Sequence, residues 1–338
     1  MDKLILPQES SLESVKRIHD ELVKGREQRM SKKPSEPPKK EIPGPSTTPV
    51  KTFEPSEVVK KLHQLGNSVG NAFLKRVIIN SLQVLKYEDK KVQLKALQCI
   101  PLIDLNLNVE RNVRKIQLAI KKKEVEDEVI DFQELLLIEL LDWFKNKFFK
   151  WVNAPDCSKC CSQTNYVGMS QSAVEGASRV ELYKCSTCQG EESFPRYDDV
   201  EKLLETRKGR CGEWANCFSL FCRALGWDTR KVIDETDHVW TEVYSDVKKK
   251  WIHCDPCENV LNAPLMYECG WNKKLSYVLA YSRDGVQDVT WRYSCKHKDI
   301  LKNRRHCSEE DLIAIVINVR NIMLSDVSNV RRDYVTKR

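Results

Sequence analysis

A nucleophile, a base and an orienting carboxylate lie in order along this chain. Cys211 stands in the run Gly209-Arg210-Cys211-Gly212-Glu213-Trp214-Ala215-Asn216, bracketed by two glycines. There a loop gives way to an apolar helical segment carrying Phe218, Leu220, Phe221 and Leu225 and closed by Gly226. A thiol at a helix start sits among free backbone N–H groups at the positive end of the helix dipole. That setting favours the thiolate, which is the form that attacks carbonyls. Asp237-His238-Val239-Trp240 and His253-Cys254-Asp255-Pro256 follow downstream. Together these are the material of Cys-His-Asp nucleophilic acyl transfer. Cys217 and Cys222 share the helix without such partners and read as core. His253 reads as a residue that hydrogen-bonds within a sheet.

The elements that must position these groups are partly legible. His238–Tyr244 and Lys250–Asp255 are rich in Val, Trp, Tyr and Thr and read as two strands of a hairpin. A turn centred between Asp246 and Val247 places His238 opposite Asp255, Trp240 opposite His253 and Glu242 opposite Trp251. Strand side chains alternate, so all six share one face. Register depends on the turn, and this pairing is an expectation.

A second constellation is Cys157-Ser-Lys-Cys160 followed by Cys185-Ser-Thr-Cys188. Two such knuckles can set four thiolates around one zinc, with Tyr166, Val167, Val180, Leu182 and Tyr183 supplying short strands between them. Four sulfur ligands leave no position for water or substrate, so the zinc is expected to be structural, one per chain. Cys161 cannot easily join the same tetrahedron.

The 338 residues are enough to bury a sizeable core. No apolar run reaches the length of a membrane span, and the N-terminus has no charged-then-apolar export pattern. The fourteen cysteines, four of them in Cys-x-x-Cys pairs, therefore point to a reducing compartment with metal binding and a reactive thiol. A net charge of +7 is mild for this size, so Lys121-Lys122-Lys123 and Lys248-Lys249-Lys250 read as solvated surface and not as nucleic-acid contacts.

Residues 1–30 carry Leu12, Val15, Ile18 and Leu22 at helical spacing, and residues 31–54 are a Pro-rich linker. A helical part of the core is expected over 55–152, with a break near Gly66–Gly70 and a helix from Phe132 to Trp151 that is apolar almost all round. A zinc ribbon over 153–192, a catalytic core over 193–307 and a C-terminal helix or tail over 308–338 complete the organisation.

The ordered motifs carry a resemblance. The two cysteine knuckles, Phe194-Pro195-Arg196-Tyr197, the Arg207–Asn216 run, Asp237–Tyr244 and Trp271–Tyr277 closely resemble the cytoplasmic peptide:N-glycanases of the transglutaminase-like superfamily. The resemblance spans roughly residues 75 to 300. It implies an α+β, papain-like core with an N-terminal helical region and a zinc-ribbon insertion. It also implies a cytoplasmic amidase that releases intact N-glycans from misfolded glycoproteins and converts the asparagine to aspartate.

Carried over, Cys211 is the nucleophile, His238 the base and Asp255 the orienter, while Cys157, Cys160, Cys185 and Cys188 hold the zinc. Trp240, Glu242, Trp251, Glu258 and Trp271 become candidate sugar contacts, since indoles stack on pyranose faces and carboxylates accept hydroxyl hydrogen bonds. The family further implies ubiquitin-binding proteasome shuttle factors as partners. Neither an N-terminal adaptor domain nor a C-terminal mannose-binding β-sandwich is expected in this sequence. The same three residues would also serve a transglutaminase or a cysteine protease, because a triad does not select its acyl donor. A non-catalytic scaffold of the same fold is the other reading, and retention of all three residues argues against it.

Overall fold

The computed structural model describes residues 56–124 and 129–337, so the expected helix and linker of residues 1–54 lie outside the described residues. Five helices come first: α1 (Glu57–Ser68), α2 (Ala72–Val84), α3 (Lys90–Cys99), α4 (Leu102–Lys121) and α5 (Phe132–Trp143). Ser56, Asn71, Asp89 and Asp131 each accept first-turn backbone N–H groups, which is how four of these helices begin. Val58 and Leu62 of α1 and Phe73, Leu74, Val77 and Ile78 of α2 recur on one face and are buried. The Gly66–Gly70 interval does interrupt the helix, between Ser68 and Ala72.

The apolar segment expected to run as one helix to Trp151 departs from that reading. It leaves α-geometry after Trp143, makes one π turn over Phe144–Phe148, and becomes the two-residue strand β1 (Lys150–Trp151). The reason is local: the π turn lets Phe144, Phe148 and Phe149 all be buried against Trp214, Phe218 and Phe221. Lys150 N–H is then free to bond Arg207 O at 2.8 Å.

A three-stranded antiparallel sheet follows, with β2 (Thr164–Met169), β3 (Ala177–Cys185) and β4 (Glu191–Tyr197) in that order. Beyond it come α6 (Val200–Thr206), β5 (Lys208–Gly209) and α7 (Cys211–Ala224). β5 pairs in parallel with β1, so the strand that leads into Cys211 is pinned to the segment carrying Trp151.

The central sheet contains β6 (Thr229–Asp234), β7 (His238–Ser245), β8 (Lys250–Asp255), β9 (Val260–Leu261), β10 (Val278–Ser282) and β11 (Gly285–Asp288). Their order is β11-β10-β6-β7-β8-β9, antiparallel throughout. Alternation along the strands makes two interiors. Val243, Ile252, Cys254, Leu279 and Tyr281 face the same core as α7. Val232, Trp240, Val278 and Ala280 join Tyr267, Tyr293 and Ile300 in a second cluster. Short α8 (His297–Asn303), then α9 (Glu309–Leu324) and α10 (Asn329–Thr336) close the chain, with α9 packing Leu312, Ile315, Val319 and Met323 into the first core.

Candidate active site

Nearly every residue of α7 from Glu213 onward is buried, so the helix is a fixed rod and its first residue, Cys211, is held in a defined place and remains partly exposed. Gly209 has a steric role there. A Cβ at that position would lie 2.5 Å from Glu213 Cβ, whereas a Cβ at Gly212 would meet nothing within 4 Å. Gly209 is needed for the turn into the helix, and Gly212 leaves open space beside the thiol.

His238 opens β7 immediately after Asp237, whose φ of +73° places the turn residue in the left-handed region. Its Nε2 lies 2.8 Å from Asp255 Oδ2. The Cys211 thiol is near enough to the imidazole to favour its charged form. Burial opposes a charge on His238, but the hydrogen bond and charge of Asp255 and the nearby Cys211 thiol outweigh it and raise its pKa to about 9. Asp255 is fully buried, which by itself would raise its pKa, yet His238 and Tyr267 together hold it below the usual carboxylate value.

The pairing that brings these groups together is not the expected one. Glu242 faces His253 and Tyr244 faces Trp251, a shift of two residues from the anticipated register. The turn spans Asp246 to Lys249, with Lys249 at φ +49° and Lys248 N–H donating to Ser245 Oγ, so its centre lies beyond Val247. A shift of two keeps every side chain on its expected face. His238 therefore reaches Asp255 diagonally and not directly across.

The five candidate sugar contacts divide. Trp271 is 43% exposed with its ring 4.9 Å from that of His238, and Glu258 is exposed three residues after Asp255. Trp240 and Glu242 are the corrections, since both are fully buried. Trp240 stacks on Tyr267 at 4.3 Å, and Glu242 is paired with Arg230 and Arg292 and accepts from Tyr293 Oη at 2.6 Å. They point into the second core because the strand face that carries His238 is covered along the rest of its length. Trp251 packs against the Arg230 guanidinium, 4.0 Å from its ring centre, near the turn end of β8 and away from Asp255.

A cleft of about 690 Å³ is lined among others by Lys150, Trp151, Trp214, Cys257 and Glu258, the last two following Asp255 in the chain. Trp151 and Trp214 were not singled out from sequence. Trp214 follows Cys211 by three residues, a spacing that could have placed it on the same helix face. Trp151 was hidden inside an apolar run. His253 is buried, which lowers its pKa to about 4, and its ring hydrogen-bonds Tyr267 and Ala263 outside the sheet and not, as expected, within it.

The four knuckle cysteines converge. Their sulfurs all lie within 4.8 Å of one another, with three pairs at 3.4, 3.4 and 3.5 Å. A tetrahedral site with metal–sulfur bonds of about 2.3 Å has sulfur–sulfur edges of about 3.8 Å, so this donor set fits a metal ion. Backbone N–H groups of Thr187 and Cys188 point at Cys185 Sγ at 3.4 Å each, and exposed Cys161 stands outside the cluster.

The sheet that carries this cluster grips the loop before Cys211. Glu181 on β3 accepts from Arg196 Nη1 at 2.8 Å and from Arg210 Nη2 at 2.8 Å, and Arg196 Nη2 donates to Glu213 Oε2 at 2.7 Å. One carboxylate thus ties the residues on both sides of the thiol to the cysteine sheet. Removing one partner of a buried ion pair costs about 3–5 kcal/mol. Glu181→Gln is expected to lose stability in that range in urea unfolding. An unchanged midpoint would show that the two arginines find other partners.

Comparison with known proteins places this geometry. Residues 163–256 match the transglutaminase-like superfamily model, and residues 228–329 match the Rad4 transglutaminase-like domain. A Gallus gallus peptide-N(4)-(N-acetyl-beta-glucosaminyl)asparagine amidase is 48% identical over 260 residues, covering 75% of this chain and 39% of the relative. The Mus musculus amidase of the same name is 40% identical over 99% of this chain and 53% of its own length, and the Homo sapiens one 42% identical over 96% and 52%. The chain belongs to the peptide:N-glycanase family of the transglutaminase-like superfamily. It spans about half the length or less of these relatives. Among solved structures, Rad4-Rad23 crosslinked to an undamaged DNA aligns with TM-score 0.47 and 15% identity over 86% of this chain and 60% of that one, a likeness too distant to bear on function. The motifs that carry the family resemblance, from the cysteine knuckles to Trp271–Tyr277, all lie in the described part of the chain.

Proposed function

We propose that this chain is an amidase that cleaves the bond between an N-glycan and its asparagine in unfolded glycoproteins. The observation that supports it best is His238 held 2.8 Å from Asp255 and beside Cys211, with the exposed indole of Trp271 4.9 Å from its ring. Two and three residues after Asp255, Cys257 and Glu258 line a cleft that also carries the exposed indole of Trp151. Such indoles suit pyranose faces, and Glu258 beside them suits sugar hydroxyls.

In this reading the Cys211 thiolate adds to the side-chain carbonyl carbon of the glycosylated asparagine. The backbone N–H groups of the first turn of α7, which have no intrahelical partner, face the oxyanion that forms. The C–N bond then breaks as the His238 imidazolium gives its proton to the departing glycosylamine. Water, deprotonated by His238, hydrolyses the thioester, and the peptide keeps an aspartate. Asp255 holds the imidazole and offsets its charge throughout.

His238 must be protonated for the first step, and the raised pKa sets where that ends. Below about 9 the imidazolium is present, and above it the acid is lost. Glycan release is therefore expected to fall along an alkaline limb near pH 9, while alkylation of Cys211, which needs no acid, does not fall. A limb near the ordinary histidine value would remove His238 from this role.

The four cysteines are read as a structural zinc site. Purified protein should carry about one zinc, and chelation should destabilise the β2–β4 sheet, since metal binding and local folding are linked. A metal-free protein of full stability would contradict this. The cleft admits an asparagine side chain only when its backbone can bend towards the thiol, so an unfolded client in the cytoplasm is the natural substrate. Delivery by ubiquitin-binding proteasome shuttle factors fits that setting. Among the described residues no helix is long and apolar enough to cross a membrane.

A further inference from the structure

Asp255 is served by more than His238. Its Oδ1 accepts backbone N–H groups from Cys257 at 2.9 Å and Glu258 at 3.3 Å, and its Oδ2 also accepts the Tyr267 hydroxyl at 2.9 Å. Tyr267 comes from the π turn Met266–Gly270, outside every motif read in the sequence. Its ring is fully buried, stacked on Trp240 and packed 5.2 Å from both His238 and Trp271. Behind it, His253 Nε2 lies 2.7 Å from the Tyr267 hydroxyl.

The direction of every proton in this row can be deduced. Ala263 N–H can only donate, and it points at His253 Nδ1 at 3.3 Å. Nδ1 is therefore an acceptor, and the neutral ring carries its proton on Nε2. Nε2–H donates to the tyrosine oxygen, which leaves the single tyrosine proton for Asp255 Oδ2. Asp255 Oδ2 then accepts from Tyr267 and from His238 Nε2–H, so the remaining nitrogen of His238, Nδ1, faces the thiol.

We propose that Tyr267 and His253 are positioning residues for the reaction, a one-way hydrogen-bond row that holds Asp255 ionised and turned towards His238. This rests on the reading of Cys211, His238 and Asp255 as the reacting triad. Four donors on one carboxylate leave it no orientation other than the one that serves the imidazole. The other groups around it are Cys211 from α7, Cys257 and Glu258 from the turn after β8, and, beyond His253, Glu242 and Tyr293 with Arg292. None of these donates a side-chain hydrogen bond to Asp255.

The test uses Tyr267→Phe, which keeps the ring stacked on Trp240 and removes only the donor. Loss of a hydrogen bond to a charged group should lower kcat about 10- to 100-fold, with KM changed less than about twofold. With one donor fewer, Asp255 takes up a proton more readily. The acid limb of the kcat–pH profile should then move up. His253→Leu should show the same changes more weakly, and His253→Gln, which offers both an acceptor and a donor, should recover part of the loss. The double variant Tyr267→Phe/His253→Leu should be no slower than Tyr267→Phe, because His253 acts only through the tyrosine.

Unchanged kcat and an unmoved acid limb in Tyr267→Phe would overturn the proposal. If that variant does not fold, the same two results in His253→Leu would overturn it. Glycan release surviving in Cys211→Ala would instead mean that the triad reading itself is wrong, whatever the tyrosine does.

Discussion

Cys211→Ala is expected to lower glycan release by more than about 10⁴-fold while the protein unfolds at an almost unchanged temperature. The size follows from the triad acting as a unit, in which removing the nucleophile removes nearly all catalysis beyond binding. The unchanged stability follows from where the residue sits. Cys211 is the first residue of α7 and only borders the core, and the fully buried residues of that helix begin two residues later with Glu213 and Trp214. Alanine is also the best helix former, so the helix start is not weakened by intrinsic propensity. Activity and melting temperature measured on one preparation check both halves. A folded variant with near-normal turnover would exclude Cys211 as nucleophile.

Asp255→Asn should be almost as damaging, about 10⁴-fold in kcat, as for other acyl-transfer triads whose acid is amidated. The physical reason is local to this site. Asp255 accepts from four donors, namely His238, Tyr267 and the backbone N–H groups of Cys257 and Glu258. An amide has one oxygen to accept with, so its NH₂ must confront two donors. Either His238 flips to a tautomer unfit to face the thiol, or two backbone groups lose their partner in a buried place. The second outcome costs about 1–3 kcal/mol for each unsatisfied group. This variant should therefore lose stability as well as rate, unlike Cys211→Ala, and urea unfolding beside kcat distinguishes them. The carboxylate also makes stability depend on pH. Its pKa is depressed in the fold, so its contribution is present above the unfolded value of 3.8 and is lost as pH falls through the folded value.

Much of this arrangement is legible in the residues. Glycine and cysteine at a loop-to-helix transition, two β-rich runs of which one opens on His and the other closes on Asp, and two Cys-x-x-Cys pairs each carry a local physical signal. The structure brings each group together, with His238 against Asp255 and four sulfurs within 4.8 Å. What sequence could not show depends on contacts between distant segments. The hairpin register turned on a four-residue loop whose left-handed Lys249 has no glycine to announce it. Trp240 and Glu242 share a strand face with His238, yet the sheet continues beyond the site and buries them under Tyr267 and Tyr293. Strand alternation gives the face of a residue but not whether that stretch of the face is covered. Tyr267 reaches Asp255 from a π turn twelve residues on, and no periodicity or spacing marks such a contact.

The Glu181 cluster has the same character. Glu181 on β3, Arg196 on β4 and Arg210 before α7 stand in separate segments, and only the fold shows that they form one buried set. Its consequence is that the cysteine sheet and the thiol loop are mechanically one unit. Cys185→Ser, which removes one sulfur of the cluster, should therefore loosen the loop that leads into Cys211.

In the proposed reaction Cys211 opens the side-chain amide of a glycosylated asparagine. The most direct measurement incubates the protein with a denatured N-glycoprotein in heavy-oxygen water and reads peptide and glycan together by mass spectrometry. The expected products are a released glycan and an aspartate at the former glycosylation site, carrying one heavy oxygen from hydrolysis of the thioester, and neither product with Cys211→Ala. A cut backbone or a crosslink to a lysine, with the glycan still attached to its asparagine, would contradict it.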